Sequence, residues 1–294
     1  MKRILVFGAG GLLGEACVRI LSQHSEVKGL TREDVDLTDG GALAQLLDGE
    51  EFDVVINAAA ISGLEQCLEQ PDSAHKVNVR APELMAEICA EKNAQFVHFS
   101  TDYVFGGKED QRPSEESETH PVNVYGKTKL AGEQAALAAN PNSLVCRVSW
   151  LFGRGRKSFV DQVLSTALTG DEGTYISDKV SVPNFCDDLV NALHGLLEKN
   201  ATGVLHLSCP SEPESWHSYA LKVVKTAQKL GLLNKIEPRI NASFLKDAHF
   251  FKEQRPKFTA MASERIAEEF GIELPDWQVG LENFLRLYQE NRLT

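Results

Sequence analysis

Three polar side chains in this sequence could move a proton together. Tyr125 and Lys129 stand four residues apart at the start of an expected helix, residues 127–139. Thr101 precedes them in Ser100-Thr101-Asp102-Tyr103-Val104-Phe105. Side chains at i and i+4 project from the same helical face. An ammonium beside a phenol favours the phenolate, so Lys129 is expected to lower the pKa of Tyr125. Thr101 could hydrogen-bond a carbonyl oxygen, which Tyr125 would then protonate. General acid help of this kind contributes about 10²–10⁴-fold in rate. A Tyr-x-x-x-Lys pair alone carries little weight, because the spacing often arises by chance. What gives it weight is its place after a glycine-rich turn and the Ser-Thr-Asp-Tyr segment.

That turn is Gly8-Ala9-Gly10-Gly11-Leu12-Leu13-Gly14, directly after a strand at Arg3–Phe7. Gly8, Gly11 and Gly14 fit the spacing GxxGxxG. Glycine permits the tight turn, lets backbone approach a pyrophosphate, and lets the helix pack closely on the strand. The helix N-terminus at Leu12 and Leu13 then offers free N–H groups to phosphates. The next strand, residues 27–30, runs into Thr31-Arg32 without an acid at its end. Arg32 suits a ribose 2′-phosphate, so NADPH is the expected cofactor. Glu33 and Asp34 follow at once and keep NADH as the alternative. Asp36-Leu37 comes later, where an Asp could meet the adenine amino group. Asn57-Ala58-Ala59-Ala60 ends a further apolar strand, and its small residues leave room for a flat ligand. With a dinucleotide so placed, Lys129 would hold the nicotinamide ribose while the nicotinamide supplies hydride chemistry.

These groups need a scaffold that brings strand ends to one edge. Apolar strands are expected at Arg3–Phe7, 27–30, 52–58, 95–100 and 143–148. Helices are expected at 12–23, 41–47, 73–92 and 127–139. Near-continuous apolar strands alternating with helices indicate an α/β fold, a Rossmann-type doubly wound parallel sheet covered on both faces. After Trp150 the pattern is less regular. Helices are expected at 159–168, 186–197 and 215–230, a short strand at 204–207, and a final helix from about Leu281. Residues 238–256 read as irregular. Residues 1–150 are expected to form the dinucleotide-binding domain. Residues 151–294 are expected to be mainly a smaller substrate lobe, with some segments returning to the sheet. The loop 106–120 carries Glu109-Asp110 and Glu115-Glu116 and lies where it could cover the site.

The chain has 294 residues, 43% hydrophobic and 24% charged, which is ordinary for a soluble globular protein and ample for a buried core. A net charge of −12 disfavours nonspecific binding to nucleic acid or anionic membranes. No apolar run approaches the roughly 18 residues of a membrane span. The N-terminus enters a strand at once, leaving no room for a signal peptide. Six Cys without a C-x-x-C pair read as small core residues in a reducing cytoplasm. The His residues lack metal-ligand spacing, so no metal is expected.

Taken together, these residues make the chain resemble the extended short-chain dehydrogenase/reductases, and more narrowly the dTDP-4-dehydrorhamnose reductases. The resemblance is carried by residues 8–14, 57–60, Val77-Asn78, 100–107, 121–133 and Arg147-Val148-Ser149-Trp150. It continues through Gly203-Val204-Leu205-His206, Ser215-Trp216, Arg255-Pro256 and residues 270–277, so it covers nearly the whole chain. The segments at 100–105 and 125–133 are the most specific to this branch. The resemblance implies a catalytic set of Thr101, Tyr125 and Lys129, and an Asn78 that helps order the cofactor site. It also implies a substrate site of Thr101, Asp102, Tyr103, Trp150 and Arg255. An Arg near a pyrophosphate makes sense because its planar fork can pair with two oxygens. The implied partner is a nucleotide-sugar, and a homodimer follows by analogy with the superfamily.

Two stretches depart from the family pattern near the expected sugar site. Lys179, Ser181 and Asn184 stand where the family shows Gln, Gly and Thr. Residues 61–67 replace a polar run ending in an acidic pair. The implied activity is reduction of the 4-keto group of a nucleotide-linked deoxysugar, such as dTDP-4-dehydro-L-rhamnose. One rival is an epimerase or dehydratase of the same superfamily, which usually needs further acid and base residues beside the Thr. The other is a nucleotide-binding regulatory subunit resembling that of methionine adenosyltransferase.

Overall fold

The computed structural model describes residues 1–107, 112–233 and 238–293. The chain alternates β1 (Arg3–Phe7), α1 (Leu12–Leu21), β2 (Glu26–Leu30), α2 (Gly40–Gly49) and β3 (Val54–Asn57). Short helices α3 (Leu64–Glu69) and α4 (Pro71–His75), a π turn (Lys76–Arg80) and α5 (Ala81–Glu91) lead to β4 (Gln95–Thr101). A 3₁₀ turn (Asp102–Val104), α6 (Val124–Ala139) and β5 (Leu144–Val148) complete the first half.

The expected single helix over 73–92 is broken by that π turn. Pro82 has no N–H, so the carbonyl of Asn78 gets no bond from four residues ahead. The chain widens there, and α6 passes so close that a Cβ on Gly132 would lie 2.0 Å from the Asn78 oxygen. Helix α6 begins three residues earlier than the spacing predicts. The Asn123 side chain accepts from the Gly126 N–H at 2.8 Å and caps it, so Tyr125 sits inside the first turn.

Beyond β5 come β6 (Leu151–Phe152), α7 (Phe159–Thr169), β7 (Glu172–Ile176), β8 (Val180–Ser181) and β9 (Asn184–Phe185). They are followed by α8 (Cys186–Glu198), β10 (Gly203–His206), β11 (Glu214–Ser215) and α9 (Trp216–Lys229). The chain ends with β12 (Arg239–Ser243), α10 (Glu264–Phe270) and α11 (Trp277–Leu293). β6 to β9, β11 and α10 have no counterpart in the sequence reading, and two other elements differ from it. The stretch read as irregular contains β12, which pairs in parallel with β7. Helix α11 starts at Trp277, whose ring is buried against Tyr219.

Six parallel strands form the main sheet in the order β10-β5-β4-β3-β1-β2. Its residues alternate between two cores, as strand geometry requires. Ile4, Val6, Val54, Ile56, Val97 and Phe99 face the core shared with α1 and α8. Leu5, Phe7, Val55 and Phe96 face the one shared with α2 and α5. β10 extends the sheet beside β5, and α8 packs on α1, so segments after residue 151 serve the sheet as well. Strand order reverses between β1 and β3, and the crevice at such a point is where open α/β sheets take their ligands.

Of the loop 106–120, residues 108–111, including Glu109-Asp110, lie outside the described residues. Farther along the loop, Glu115 accepts from the His206 N–H at 2.8 Å, fastening it to β10. Among the described residues no helix is long and apolar enough to cross a membrane.

Candidate active site

The glycine turn sits at the reversal point. Phe7 pairs with Asn57, which sets Gly8 beside Ala58 and Ala59. Gly8 has φ +81°, and a Cβ there would lie 2.7 Å from the Ala59 nitrogen. A Cβ on Gly14 would come within 2.1 Å of the Gly8 oxygen. Turn, helix and the 58–60 loop therefore meet backbone to backbone, leaving a cradle that only glycine permits. Gly11 caps α1 without a side-chain hydrogen bond, and the Leu13 side chain is in the core, so Leu12 and Leu13 offer backbone only. These residues fit a dinucleotide pyrophosphate.

At the end of β2, Asp34 is committed to its own turn. It accepts from the Thr31 N–H at 2.7 Å and the Thr31 hydroxyl at 2.9 Å. Asp36 accepts from the Thr38 N–H at 2.9 Å. Arg32 stays exposed, and both it and Lys76 act electrostatically on Asp36. Lys76 and Arg80 line a cavity of about 300 Å³ with Leu37 and Thr38. The sequence reading missed these two basic residues, because the helix was expected to run straight through them.

Asn78 was expected to help bind the cofactor. Its side chain is fully used elsewhere: Nδ2 donates to the Ile61 oxygen and to the Thr128 hydroxyl, and Oδ1 accepts from the Ile61 N–H. It orders the loop after β3 against α6 rather than opening to a ligand.

Thr101, Tyr103 and Tyr125 meet in a cavity of about 330 Å³ whose wall also includes Ser62, Ser149 and Trp150. The Thr101 hydroxyl donates to Asp102 Oδ1 at 3.0 Å and accepts from the Tyr103 N–H at 3.2 Å. The expectation that Lys129 lowers the pKa of Tyr125 fails in this arrangement. Burial dominates and pushes the phenol well above its ordinary value. Lys129 has turned into the sheet. Its Nζ donates to the Phe99 oxygen at 2.7 Å and lies 3.1 Å from His98 Nε2. Burial lowers the lysine to about 8, against the pull of Glu133. Tyr125 is thus a phenol that keeps its proton.

One turn after Lys129, Glu133 grips the strands behind the site. It accepts from Ser100 and pairs with Arg147, with Nη2 to Oε2 at 2.8 Å and Nε to Oε1 at 3.1 Å. Both partners are buried. The sequence contained both residues in its motifs but gave them no role.

Asp102 belongs to the cavity wall, yet its carboxylate is not free for a ligand. It receives hydrogen bonds from Thr101 and Ser181, and faces Thr259 and buried Lys179. Lys179 donates to the Thr259 hydroxyl at 3.2 Å and lies 5.1 Å from the Tyr103 ring centre. Burial pushes the carboxyl up and brings the lysine down to about 8, while each charge opposes the other's shift. Asp102 supports Thr101 from behind, contrary to the expected substrate contact.

Trp150 enters the cavity from a left-handed backbone, φ +42°. Such a conformation costs a bulky residue roughly 1–3 kcal/mol unless its surroundings hold it. Asn184 provides that hold. Its N–H donates to the Trp150 oxygen at 3.0 Å, and its Nδ2 donates to the Ser149 oxygen at 2.9 Å. The Trp150 ring packs against Phe159, Trp216 and Tyr219. Arg255 lies 3.4 Å from the centre of the Phe251 ring, and its Nη2 pairs with Glu65 Oε1 at 3.0 Å. Its fork is therefore engaged by Glu65, from one of the departing stretches.

Residues 1–290 match the family described as RmlD substrate binding domain. A dTDP-4-dehydrorhamnose reductase of Aggregatibacter actinomycetemcomitans is 32% identical over 99% of this chain and 100% of its own. Among solved structures, the dTDP-4-dehydrorhamnose reductase ortholog of Clostridium acetobutylicum superposes with a TM-score of 0.89 at 29% identity, covering 98% of this chain and 99% of that one. A dTDP-4-dehydrorhamnose reductase of Bacillus anthracis in complex with NADP shares the fold, with a TM-score of 0.90 at 23% identity over 97% and 99% of the two chains.

Proposed function

Because this chain belongs to the RmlD substrate binding domain family, we propose that it is an NADPH-dependent reductase acting on the 4-keto group of a nucleotide-linked deoxysugar. Its substrate in this reading is dTDP-4-dehydro-L-rhamnose and its product dTDP-L-rhamnose. The observation that carries the proposal is the pair of residues Thr101 and Tyr125 lining one cavity at the end of β4, on the same parallel sheet whose β1 leads into the glycine cradle. Full-length relatives named as dTDP-4-dehydrorhamnose reductases support it.

The cradle of Gly8, Gly11 and Gly14, the backbone of Leu12 and Leu13, and Ala58, Ala59 and Ala60 would hold the dinucleotide. Arg32 is assigned to the 2′-phosphate, and Lys76 and Arg80 add positive charge nearby. Asp36 and Leu37 are assigned to the adenine. When bound, the reduced nicotinamide supplies the hydride. Thr101 orients the keto oxygen, and Tyr125 gives that oxygen the proton held at its Oη, so the carbonyl becomes an alcohol. Lys129 lies on the same helical face as Tyr125 and, as an ammonium, offsets the phenolate left behind. Trp150 packs against the sugar. Arg255 exchanges Glu65 for the pyrophosphate, a trade its planar fork suits. The later segments that do not return to the sheet form the sugar-binding lobe.

The test is to mix the purified protein with NADPH and dTDP-4-dehydro-6-deoxy-L-mannose and follow loss of the reduced nicotinamide absorbance. Turnover that vanishes in Tyr125→Phe supports the reading. Absence of turnover with NADPH tightly bound would move the weight to another keto-sugar or to a regulatory subunit.

A further inference from the structure

We infer that Asn57 and His98 are positioning residues for Lys129. Asn57 fixes the hydrogen of the neutral imidazole on Nε2, and that N–H favours the neutral form of the Lys129 amine over the ammonium. Donors and acceptors in a dry space fix this arrangement. Asn57 and His98 are fully buried and Lys129 nearly so, and all three stand within or against β3 and β4. Asn57 Oδ1 accepts from the Ala59 N–H at 3.1 Å. Its Nδ2 therefore points at His98 Nδ1, 3.2 Å away. An amide nitrogen only donates, so Nδ1 must accept. The ring is neutral, since burial holds its pKa well below the ordinary value. Its single hydrogen is then on Nε2, 3.1 Å from Lys129 Nζ. An ammonium has no lone pair to receive that hydrogen, whereas a neutral amine has one. The neutral amine still donates to the Phe99 oxygen.

The charged surroundings of Lys129 do not reverse this. On its own helix it faces Glu133, which favours the ammonium but is already shared with Arg147 of β5 and Ser100 of β4. β3 presents the neutral Asn57, and β4 presents the neutral His98 and a carbonyl. Protonating Lys129 requires the imidazole hydrogen to move to Nδ1. Asn57 must then turn Oδ1 toward the ring and release the Ala59 N–H. Ala59 is the residue that packs against Gly8. The charge on Lys129 is thereby linked to the loop beside the glycine cradle.

The proton arrangement stands apart from the reductase reading, while its catalytic consequence rests on it: reduction slows above the pH at which Lys129 becomes neutral. The test begins on the ligand-free full chain, with NMR of isotope-labelled histidine and lysine side chains. Above the Lys129 midpoint, expected near 8, His98 should carry its hydrogen on Nε2. As pH falls through that midpoint the tautomer should invert, with the Ala59 amide signal moving in step. Asn57→Asp presents an acceptor to Nδ1, so it should invert the tautomer at all pH values and raise the Lys129 midpoint by about one unit or more. A wild-type ring with its hydrogen on Nδ1 at high pH, or a tautomer indifferent to the Lys129 titration, would overturn the inference. So would a midpoint unmoved in folded Asn57→Asp; if that variant does not fold, the wild-type titration alone decides. With the keto-sugar and NADPH, the basic limb of kcat should move with the midpoint while KM for the sugar changes little. A wild-type protein without turnover would sink the reductase reading and leave the NMR result standing.

Discussion

Tyr125 and Lys129 share a helical face, yet the two side chains part company. The phenol stays in the cavity with Thr101, and the amine goes into the sheet against His98 and Phe99. With its pKa raised by burial, Tyr125 keeps a proton to give at any working pH. Tyr125→Phe should lower turnover by about 10²–10⁴-fold with cofactor affinity nearly unchanged, checked by steady-state rates and fluorescence titration of NADPH. The spacing in the sequence put both residues on one helical face, because an i, i+4 pair is a local property of one helix. It misjudged their coupling, because desolvation and the orientation of a lysine depend on strands distant in sequence. Asp102 follows the same logic: adjacent to Thr101 in sequence, it is turned away from the cavity by Ser181, Thr259 and Lys179.

Helix α6 carries Tyr125, and its placement depends on contacts at both its first turn and its middle. A Cβ on Gly126 would lie 2.2 Å from the Tyr103 oxygen, so Gly126→Ala must push the helix off the turn at Asp102–Val104. The expected result is a soluble protein with turnover reduced at least about tenfold, measured beside circular dichroism to show that the fold survives. Farther along, Glu133 and Arg147 form a buried pair. Glu133→Gln leaves the guanidinium without its charge partner and should cost about 3–5 kcal/mol in urea unfolding. The left-handed turn at Trp150 depends on Asn184, so Asn184→Ala should raise KM for the keto-sugar more than it lowers kcat. Equal effects on both would argue against a role in placing the tryptophan. Apolar periodicity located most helices and strands in the sequence. It missed the π turn, which arises from Pro82 together with the approach of α6, and β12, whose exposed residues gain order only by pairing with β7.

Across the whole molecule, the six cysteines are free and buried. They should resist a thiol reagent in the native protein at neutral pH, and all six should react once it is denatured. Their burial also sets an alkaline limit. Burial lifts Cys67 and Cys209 to about 11, and Cys89 and Cys146 to about 12, from an ordinary 9.0. A raised thiol pKa contributes stability fully present below the unfolded value and lost as pH rises through the folded one. Lys129 and Lys179, both lowered to about 8 from 10.5, act in the opposite sense between those values. The thiols outnumber them, so the melting temperature under reducing conditions should fall above pH 9; a continued rise to pH 10.5 would contradict this balance. The alternation of apolar strands with helices, the glycine spacing and the order of the Ser-Thr-Asp-Tyr and Tyr-x-x-x-Lys segments determined the sheet, the cradle and which residues bring their hydroxyls to one cavity. Each is written in residues close together in the chain, where backbone geometry enforces the outcome. Tertiary structure decided that β10 and α8 return to the first half, that Lys179 stands behind Asp102, that Glu65 holds Arg255, and that Asn57 and His98 face Lys129. Those pairings join residues tens to hundreds of positions apart, and only the packing that removes water from between them fixes which donor meets which acceptor.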